Sequence, residues 1–516
     1  MGLDMKRFKK LSTDTTILLS LAFCKLLLHI FVNLTGRYGI FRDEFYYLAC
    51  ADHLAWGYVD QPPLSIAILS VWTFFFGDSL FSIRLLPAIF GAITVFLTGK
   101  IVWEFGGRRF AQILAAIAVI VAPGYLAVHG FYSMNVFDHF FWTGLIYILI
   151  KIIKTEKSWL WLLFGFVAGL GLLNKISVLF LAFGLGLGIL LTKHRRWLLD
   201  KKLWLGIAVA LLLFLPHILW QIQHDWPTLE FMSFASQYKN VHLSLAQFFL
   251  EQIFNMNPAT ALMWIAGMFY LLLSKRLSSF RLFAIAYVAI FILFVAQGAK
   301  AYYLFPIYPV VFAAGALFLD MLFSKKYARR LKPVTVILFV GTGLFAAPLA
   351  VPILPVEKYI AFAQKIGFAP SAAENNELGV LPQHFADMFG WEEMVAEIAK
   401  VYHSLPDSEK TDAAIYVQNY GEAGAIDYYR NKYDLPPAIC GHNNYYLWGR
   451  RGMSGKILII FGGRKADHEQ VYESVIEAAR FTHPYVMPYE NNQPIYICRG
   501  LKMPLEQVWP RTKHFG

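Results

Sequence analysis

Long apolar runs separated by short polar loops fill the first 354 residues of the chain. A helix needs about 20 apolar residues to cross a bilayer core, and eleven stretches are predicted to do so. They lie near residues 13–35, 81–103, 110–128, 137–153, 158–173, 176–192, 203–221, 253–273, 282–298, 303–323 and 333–352. Another apolar stretch, 62–76, is shorter and opens with two prolines. We predict that it forms a helix near the membrane interface rather than a span.

Lysine and arginine are divided unequally between alternate loops. One set of loops contains 23 of these residues, whereas the other contains six. The richer set consists of residues 1–12, 100–109, 151–157, 193–202, 275–281 and 325–332. Because cytoplasmic loops are enriched in basic residues, the N terminus is predicted in the cytoplasm and residues 36–80 outside. An odd number of spans places the segment after residue 354 outside as well.

The last third of the chain is more polar and mixes two periodicities. The predicted helices are 390–405 and 422–430, and the predicted strands are 413–417, 456–461 and 494–498. Helices that alternate with strands are typical of an α/β domain. We therefore predict an α-helical polytopic membrane bundle over 1–354, with its first exterior loop at 36–80, and a small exterior α/β domain over 355–516.

Composition supports a membrane protein and argues against a nucleic-acid-binding one. The chain is 57% hydrophobic and only 16% charged, which is too apolar for a soluble protein of this length. The net charge of +12 comes from short loops between apolar runs, so it indicates topology. The N terminus resembles a signal peptide but has no small-residue cleavage site, so a first span is favoured. Cys440 and Cys498 could form a disulfide or be two buried thiols.

The first exterior loop concentrates ionisable residues among aromatic ones. They are Arg42, Asp43, Glu44, Asp52, His53 and Asp60. Solvated loop charge is one interpretation, and a general base held at a membrane-facing pocket is the other. Asp43 and Glu44 are adjacent and cannot share a helical face. We therefore expect at most one of them to point into such a site.

Four further ionisable residues fall at the exterior ends of predicted spans. They are Arg84, Asp138, Lys175 and Lys300. A lone lysine at this depth often extends to the interface, but ionisable residues near membrane helices usually line a polar cavity. Together they predict a site at the exterior edge. Lys25, in the first span, is predicted to extend to the cytoplasmic interface.

No cytoplasmic segment has the glycine-rich loop between strand and helix that binds nucleotide phosphates. Gly165 and Gly169, and Gly184, Gly186 and Gly188, lie inside apolar spans, where small residues let helices approach closely. Nucleotide-driven chemistry inside the cell is therefore disfavoured. A donor that reaches an exterior, membrane-level site would be linked to a lipid.

Several motifs together resemble bacterial members of glycosyltransferase family 39. They are RDEFYYLACADHLAWGYVDQPPL (42–64), FGDSLFSIRLLPAIFG (76–91), LLNKIS (172–177), KAYYLFPIYP (300–309) and NYGEAGAIDYY (419–429). The family includes polyprenol-phosphate-sugar-dependent protein mannosyltransferases and lipid A aminoarabinose transferases. The resemblance covers nearly the whole chain. Here the exterior third lacks the β-trefoil insert of the eukaryotic mannosyltransferases, which argues against protein O-mannosylation.

The resemblance implies the C-type glycosyltransferase fold and an inverting transferase. Its donor would be a polyprenyl-phosphate sugar, and its acceptor a hydroxyl or phosphate of a lipid, glycan or protein. The reaction would take place on the outer face of a bacterial cytoplasmic membrane. By the family motif, Asp43 would be the general base and Glu44 would support it. Asp138 would orient the acceptor or a cation.

The departing phosphate of such a donor requires positive charge where negative charge develops. Arg84, Lys175 and Lys300 are the candidates for this role. Further substrate-binding candidates that the resemblance implies are Arg42, Tyr302 and Tyr303. A divalent metal ion is left open, because no spacing of histidine, cysteine or carboxylate residues demands one. The sequence names neither the sugar nor the acceptor.

Two other functional classes compete with the transferase. A glycolipid transporter or flippase usually has broken helices and polar residues near the midplane, often in repeated halves. No repeat is found, although Pro216 and Pro306 could break helices. A non-catalytic scaffold with an exported binding domain would not need the ionisable cluster of the first loop.

Overall fold

The computed structural model describes residues 2–35, 37–371 and 374–516, with side chains from residue 14 onward. The basic side chains of the predicted loop 1–12, and Gly36 at the start of loop 36–80, lie outside the described residues. In chain order the helices are α1 (Gly2–Thr35), α2 (Arg42–Ala51), α3 (Leu64–Phe76), α4 (Leu80–Glu104), α5 (Arg109–Val121), α6 (Pro123–Val128), α7 (Met134–Thr155), α8 (Leu160–Asn174), α9 (Val178–Leu190), α10 (Lys201–Gln223), α11 (Pro227–Phe234), α12 (Leu245–Asn255), α13 (Ala261–Leu273), α14 (Arg281–Ala296), α15 (Tyr308–Leu322), α16 (Leu331–Ala350), α17 (Val356–Lys365), α18 (Gln383–Ala386), α19 (Trp391–His403), α20 (Asp407–Lys410), α21 (Tyr420–Tyr433), α22 (Asn444–Trp448), α23 (Lys465–Glu469) and α24 (Leu505–Val508). Short 3₁₀ segments include Lys193–Leu199, Pro258–Thr260 and Ala301–Ile307.

The chain forms two compact units, and each consists of segments that are separate in sequence. The first unit combines residues 1–35, 81–219 and 242–354, and the second combines 36–80, 220–241 and 355–516. The predicted domains, 1–354 and 355–516, follow chain order. A pattern of neighbouring residues carries no signal for a unit built from distant segments.

The first unit is a bundle of apolar helices. Within the described chain, seven helices are long and apolar enough to cross a membrane, or nine if two bent pairs each count as one span. Helices α5 and α8 are apolar but have only 13 and 15 residues, or about 20 Å of length. The multi-pass helical architecture is therefore confirmed, whereas the count of eleven spans remains a prediction.

Prolines explain where predicted spans are broken. The predicted span 110–128 is two helices, because Pro123 has no amide hydrogen and the preceding residue is extended with ψ 121°. A second break, with a bend of 102°, separates α12 from Pro258–Leu273. There Asn257 adopts φ 70°, which ends the regular helix before Pro258.

Glycines allow close approach of helices in this bundle, as predicted. A Cβ atom at Gly188 would lie 2.6 Å from the carbonyl oxygen of Leu282, and one at Gly184 would lie 2.8 Å from the Ile290 side chain. Both contacts join α9 to α14. Gly186 is different, because a Cβ atom added there would meet no other atom within 4 Å. The packing interpretation is thus confirmed at two of the three positions in α9.

The second unit contains a five-stranded mixed sheet. Its strands are β1 (Ala413–Val417), β2 (Ala438–Cys440), β3 (Ile457–Phe461), β4 (Tyr472–Phe481) and β5 (Gln493–Leu501), in the order β2-β1-β3-β5-β4. Strands β2, β1 and β3 are parallel, and β5 pairs antiparallel with both β3 and β4. The predicted α/β character is confirmed. Strand β4 was not predicted, since most of its residues are solvent-accessible and give no apolar run.

The two cysteines of the sheet, Cys440 and Cys498, are free thiols. Cys440 lies on β2 and Cys498 on β5, with β1 and β3 between them. Adjacent strands are about 4.8 Å apart, so three strand spacings exceed the roughly 7 Å that a disulfide allows between Cα atoms. Of the two sequence-based alternatives, buried thiols are the correct one.

Candidate functional site

Helix α2 presents the acidic motif of the first loop. The carboxylate of Glu44 is fully buried and accepts a hydrogen bond of 2.9 Å from the backbone N–H of Phe41, just before the helix begins. It therefore satisfies an amide that the first turn would leave unpaired. The neighbouring Asp43 side chain is 35% exposed. Of the two adjacent acids, Asp43 is thus the one accessible to a substrate.

Asp43 is held through one of its two carboxylate oxygens. The hydroxyl of Tyr420 donates a hydrogen bond of 2.9 Å to Oδ1, and the Arg42 Nε lies 3.6 Å from the same oxygen. Tyr420 begins α21 and is only 7% exposed. This arrangement orients the carboxylate and directs its interactions to Oδ1.

Arg42 is surrounded by further carboxylates. Its guanidinium lies 3.8 Å from Glu374 and 3.9 Å from Asp387, and it donates a 2.6 Å hydrogen bond to the hydroxyl of Tyr489. Burial raises the pKa of Asp387 to about 7, although the nearby Arg42 partly offsets this effect. Arg42 is therefore engaged by protein groups that stabilise α2, in addition to its predicted contact with substrate.

A second tyrosine links α2 to the rest of this unit. The Tyr46 hydroxyl lies 3.1 Å from both Asp60 Oδ1 and Asn444 Oδ1. Asn444 Oδ1 also accepts a 2.7 Å hydrogen bond from the backbone N–H of Val59. Burial raises the pKa of Asp60 to about 6, and the hydrogen bond with the Tyr46 hydroxyl partly offsets this effect. These contacts fix the chain on both sides of the acidic motif.

In the first unit, Asp138 and Lys175 meet near the start of α7. Lys175 Nζ donates a 2.6 Å hydrogen bond to Asn135 Oδ1 and lies 4.0 Å from Asp138 Oδ2. The other Asp138 oxygen accepts a 2.6 Å hydrogen bond from the hydroxyl of Ser177. Both ionisable groups are buried, at 2% and 8% exposure. A buried pair of this kind requires such hydrogen bonds to remain favourable.

Two aromatic rings cover the same lysine. Lys175 Nζ lies 4.5 Å from the ring centroid of Tyr303 and 5.8 Å from that of Tyr302. Both tyrosines belong to the 3₁₀ segment that follows Lys300. A cation near the face of a ring is attracted by the ring quadrupole. The structure thus brings together Asp138, Lys175, Tyr302 and Tyr303, four of the nine residues to which the sequence assigns a role in the site.

The remaining predicted residues divide between the two units. Arg84 is buried in the second turn of α4, and Lys300 is half-buried just before its 3₁₀ segment. Both belong to the first unit, as Asp138 and Lys175 do, whereas Arg42, Asp43 and Glu44 belong to the second.

Sequence reasoning missed the partners that orient Asp43. Tyr420 lies inside the motif NYGEAGAIDYY, which was the only signal for it. Asp387 and Asn444 lie in stretches without a recognisable motif. Within the part of the chain that the structure describes, no group of three or more histidine, cysteine or acidic side chains is arranged to hold a metal ion. We therefore assign no metal ligands.

The prediction that Lys25 extends to the cytoplasmic interface is wrong. Lys25 lies in the middle of the candidate span Asp14–Leu34 and its side chain is fully buried. Its Nζ lies 3.4 Å from the backbone oxygen of Tyr125. The residue sits on the face of α1 that packs into the bundle, and this face could not be read from one helix alone.

The family model and the curated protein that match parts of this chain are both glycosyltransferases. Residues 60–220 match the model of the dolichyl-phosphate-mannose-protein mannosyltransferase family. The lipid A galacturonosyltransferase RgtD of Rhizobium johnstonii is 25% identical over 230 residues, which cover 43% of this chain. The match spans about half of that relative, 48% of its length.

The solved structures extend this similarity to the whole fold. ArnT from Cupriavidus metallidurans bound to undecaprenyl phosphate superposes with a TM-score of 0.61 at 14% identity, over 93% of this chain and 97% of that one. The apo state of the same protein gives a TM-score of 0.59 with the same identity and coverage. At this identity the match concerns the fold. The shared fold confirms the prediction of a multi-pass helical membrane protein with the C-type glycosyltransferase fold. The family model and the curated relative, each similar to part of the chain, are both glycosyltransferases.

Proposed function

We propose that the chain moves a sugar from a polyprenyl-phosphate donor to a hydroxyl or phosphate oxygen of an acceptor, with inversion at the anomeric carbon. The family model supports the donor class, and so does the similarity to ArnT, whose structure holds undecaprenyl phosphate. Among lipid, glycan and protein acceptors, the name of the curated relative favours a lipid.

Asp43 is the proposed general base, and its geometry carries the proposal. Its carboxylate is partly exposed, and Tyr420 and Arg42 both interact with Oδ1, which leaves Oδ2 for the acceptor. Asp43 takes the proton of the acceptor O–H group while the acceptor oxygen bonds to the anomeric carbon. The bond between that carbon and the phosphate oxygen breaks, and polyprenyl phosphate leaves with the electron pair. Attack opposite the leaving group inverts the configuration.

Lys175 is the proposed principal cation for the donor phosphate, with Arg84 and Lys300 as further ligands. Asp138 and Asn135 hold the ammonium group of Lys175 in place. A fixed positive charge in a buried setting stabilises the negative charge that develops on the leaving group. Glu44 supports the site through α2, and Arg42, Tyr302 and Tyr303 are proposed substrate contacts.

The decisive experiment is Asp43→Asn in the full-length protein reconstituted in liposomes. The substrates are radiolabelled undecaprenyl-phosphate galacturonic acid and lipid A. Loss of the base should lower the transfer rate by at least about a hundredfold. Asp407→Asn is the matched control, because that carboxylate in the same unit is 97% exposed. Full activity of Asp43→Asn would eliminate Asp43 as the base.

The same liposomes distinguish transfer from transport. A flippase would move the labelled donor across the bilayer without forming a glycosylated product. The proposed transferase forms labelled lipid A. If neither the label in lipid A nor any other product appears, mass spectrometry of the glycolipids changed in a deletion strain identifies the acceptor to be tested next.

We also propose that residues 36–80 and 355–516 face the outside of a bacterial cytoplasmic membrane. The excess of basic residues in the alternate loops supports this orientation. The test is labelling of intact cells with a membrane-impermeant maleimide. A cysteine replacing Asp78 should react, whereas a cysteine replacing Lys326, an exposed residue of a predicted cytoplasmic loop, should react only after lysis. The reverse pattern would refute the orientation.

A further inference from the structure

A large cleft in the second unit takes no part in the proposed chemistry. Its volume is about 910 Å³, and residues of α2, α3 and α21 line it. Binding sites for small ligands are commonly about 300–1,000 Å³. The cleft is therefore large enough for a ligand of several rings.

The cleft and Asp43 lie on different faces of α2. Phe45, Leu48 and Asp52 line the cleft, at the spacing that places residues on one side of a helix. Asp43 and Tyr46, three residues apart, share another face. The cleft is thus separate from the residues that hold the proposed base.

One wall of the cleft is built from fixed polar groups. Arg451 Nη1 donates hydrogen bonds of 2.9 and 2.7 Å to the two oxygens of Asp427, and the Tyr445 hydroxyl donates one of 3.0 Å to Asp427 Oδ2. The Asp427 and Arg451 side chains are only 15% and 12% exposed. This network fixes a hydrogen-bond donor, Arg451, and a hydrogen-bond acceptor, Asp427, in the free protein.

The rim of the cleft adds exposed hydrogen-bonding groups of both kinds. Asp52, Asp78, Arg430 and Asn431 are all solvent-accessible. The lining contains three carboxylates and two guanidinium groups, so its net charge is slightly negative when the histidine is neutral. This excess of carboxylates does not favour a phosphate or another anion. Neutral hydroxyl groups, in contrast, can both accept from arginine and asparagine and donate to carboxylates.

Another part of the cleft wall is aromatic and adjoins an apolar helix. Phe45, Phe74 and Tyr428 line the cleft. Phe45 is buried, whereas the accessible rings of Phe74 and Tyr428 suit the apolar face of a sugar. Phe74 belongs to α3, where Phe74, Phe75 and Phe76 are 83%, 70% and 62% exposed. Helix α3 is predicted to lie at the membrane interface. The cleft therefore adjoins a surface suited to lipid.

We propose that this cleft binds the neutral glycan part of a membrane-anchored glycolipid acceptor, away from the reacting oxygen. The proposal rests on the proposed transferase function, and it makes the cleft a determinant of acceptor choice. Its polar wall recognises hydroxyl groups, its aromatic wall covers a sugar ring, and its position beside α3 suits a ligand anchored in lipid.

The test measures binding of neutral trisaccharides to the full-length protein in detergent, without transfer. Saturation-transfer NMR with maltotriose and chitotriose should show contact with the wild-type protein. Ser70 lines the cleft, whereas the next residue of α3, Val71, is 60% exposed and does not. Ser70→Trp should fill the cleft and abolish the signal, and Val71→Trp should retain it.

A second variant, which removes one exposed group, separates loss of binding from loss of the fold. Arg430→Ala removes an exposed donor and should weaken binding roughly tenfold, as expected for a lost hydrogen bond to a charged group. The proposal is overturned if neither trisaccharide binds at about 10 mM, where a site of millimolar Kd would be mostly filled. It is also overturned if Ser70→Trp binds normally, or if inorganic phosphate or phosphatidylglycerol vesicles displace the sugar.

The result of the trisaccharide-binding test does not depend on whether Asp43 is the general base. Asp43→Asn should bind both trisaccharides as the wild type does, since Asp43 lies on another face of α2. Trisaccharide binding by a wild-type protein that forms no glycosylated product would reject the proposed function and keep the glycan site. Transfer that is normal in Ser70→Trp, with equal affinity for the glycolipid acceptor, would reject the site and keep the function.

Discussion

The hydroxyl group of Tyr420 offers the most direct test of how Asp43 is oriented. Tyr420→Phe removes a single oxygen atom, which donates the 2.9 Å hydrogen bond to Asp43 Oδ1. The ring remains, so its packing against Tyr46, at a centroid distance of 4.7 Å, is retained. The variant therefore alters the orientation of the carboxylate with little change in volume.

The expected decrease in kcat follows from the charge and the exposure of this hydrogen bond. A hydrogen bond to a charged group contributes about 1.5–3 kcal/mol. Tyr420 is buried, but the Asp43 side chain is 35% exposed, so water replaces part of the lost interaction and the lower half of that range applies. A loss of about 1.5–2 kcal/mol in the transition state corresponds to a decrease of roughly 10–30-fold in kcat. The KM for the donor should stay within about twofold, because the base acts on the acceptor.

The assay is initial-rate transfer in liposomes, with kcat and KM measured separately for donor and acceptor. Tyr46→Phe is the matched control, because it removes a buried hydroxyl whose hydrogen bonds go to Asp60 and Asn444 rather than to Asp43. Both variants should lose stability, but only Tyr420→Phe should lose kcat. Equal kcat in wild type and Tyr420→Phe, or an equal loss in both variants, would refute positioning of Asp43 by Tyr420.

Three further predictions concern pH, packing and the donor. The pKa of Asp387 is raised to about 7 from an ordinary 3.8, so the carboxyl group ionises at lower pH in the unfolded state than in the folded one. The free energy of unfolding should therefore fall between pH 4 and 7, by up to about 4 kcal/mol. Melting curves of Asp387→Asn should show a smaller fall over this range, and an unchanged dependence on pH would contradict the prediction. Gly267→Ala would push a Cβ against the carbonyl oxygen of Val311 and should cost about 1–3 kcal/mol of stability, measured as a lower melting temperature in detergent, while Gly186→Ala, with open space around it, should cost nothing. Lys175→Gln removes the proposed phosphate cation and should raise the donor KM at least about tenfold; an unchanged KM would exclude Lys175 from donor binding.

Much of the architecture could be read from neighbouring residues. Each predicted span has a helical counterpart, because hydropathy over about 20 residues is a local property that decides whether a segment can enter the bilayer. The strand predicted at 413–417 is β1, and the helix predicted at 390–405 contains α19. The acidic motif at Asp43 was also recognisable, because its residues are contiguous in the chain.

The tertiary structure decided what those segments contact. Tyr420 is 377 residues from Asp43 and Asn444 is 398 residues from Tyr46, so no local pattern could pair them. Lys25 is buried because of the side on which α1 meets its neighbours. The cleft likewise arises where α21 meets α2 and α3, which lie far earlier in the chain. Helix formation and membrane insertion depend on adjacent residues, whereas the orientation of a carboxylate, the burial of a lysine and the shape of a cavity depend on how distant segments pack.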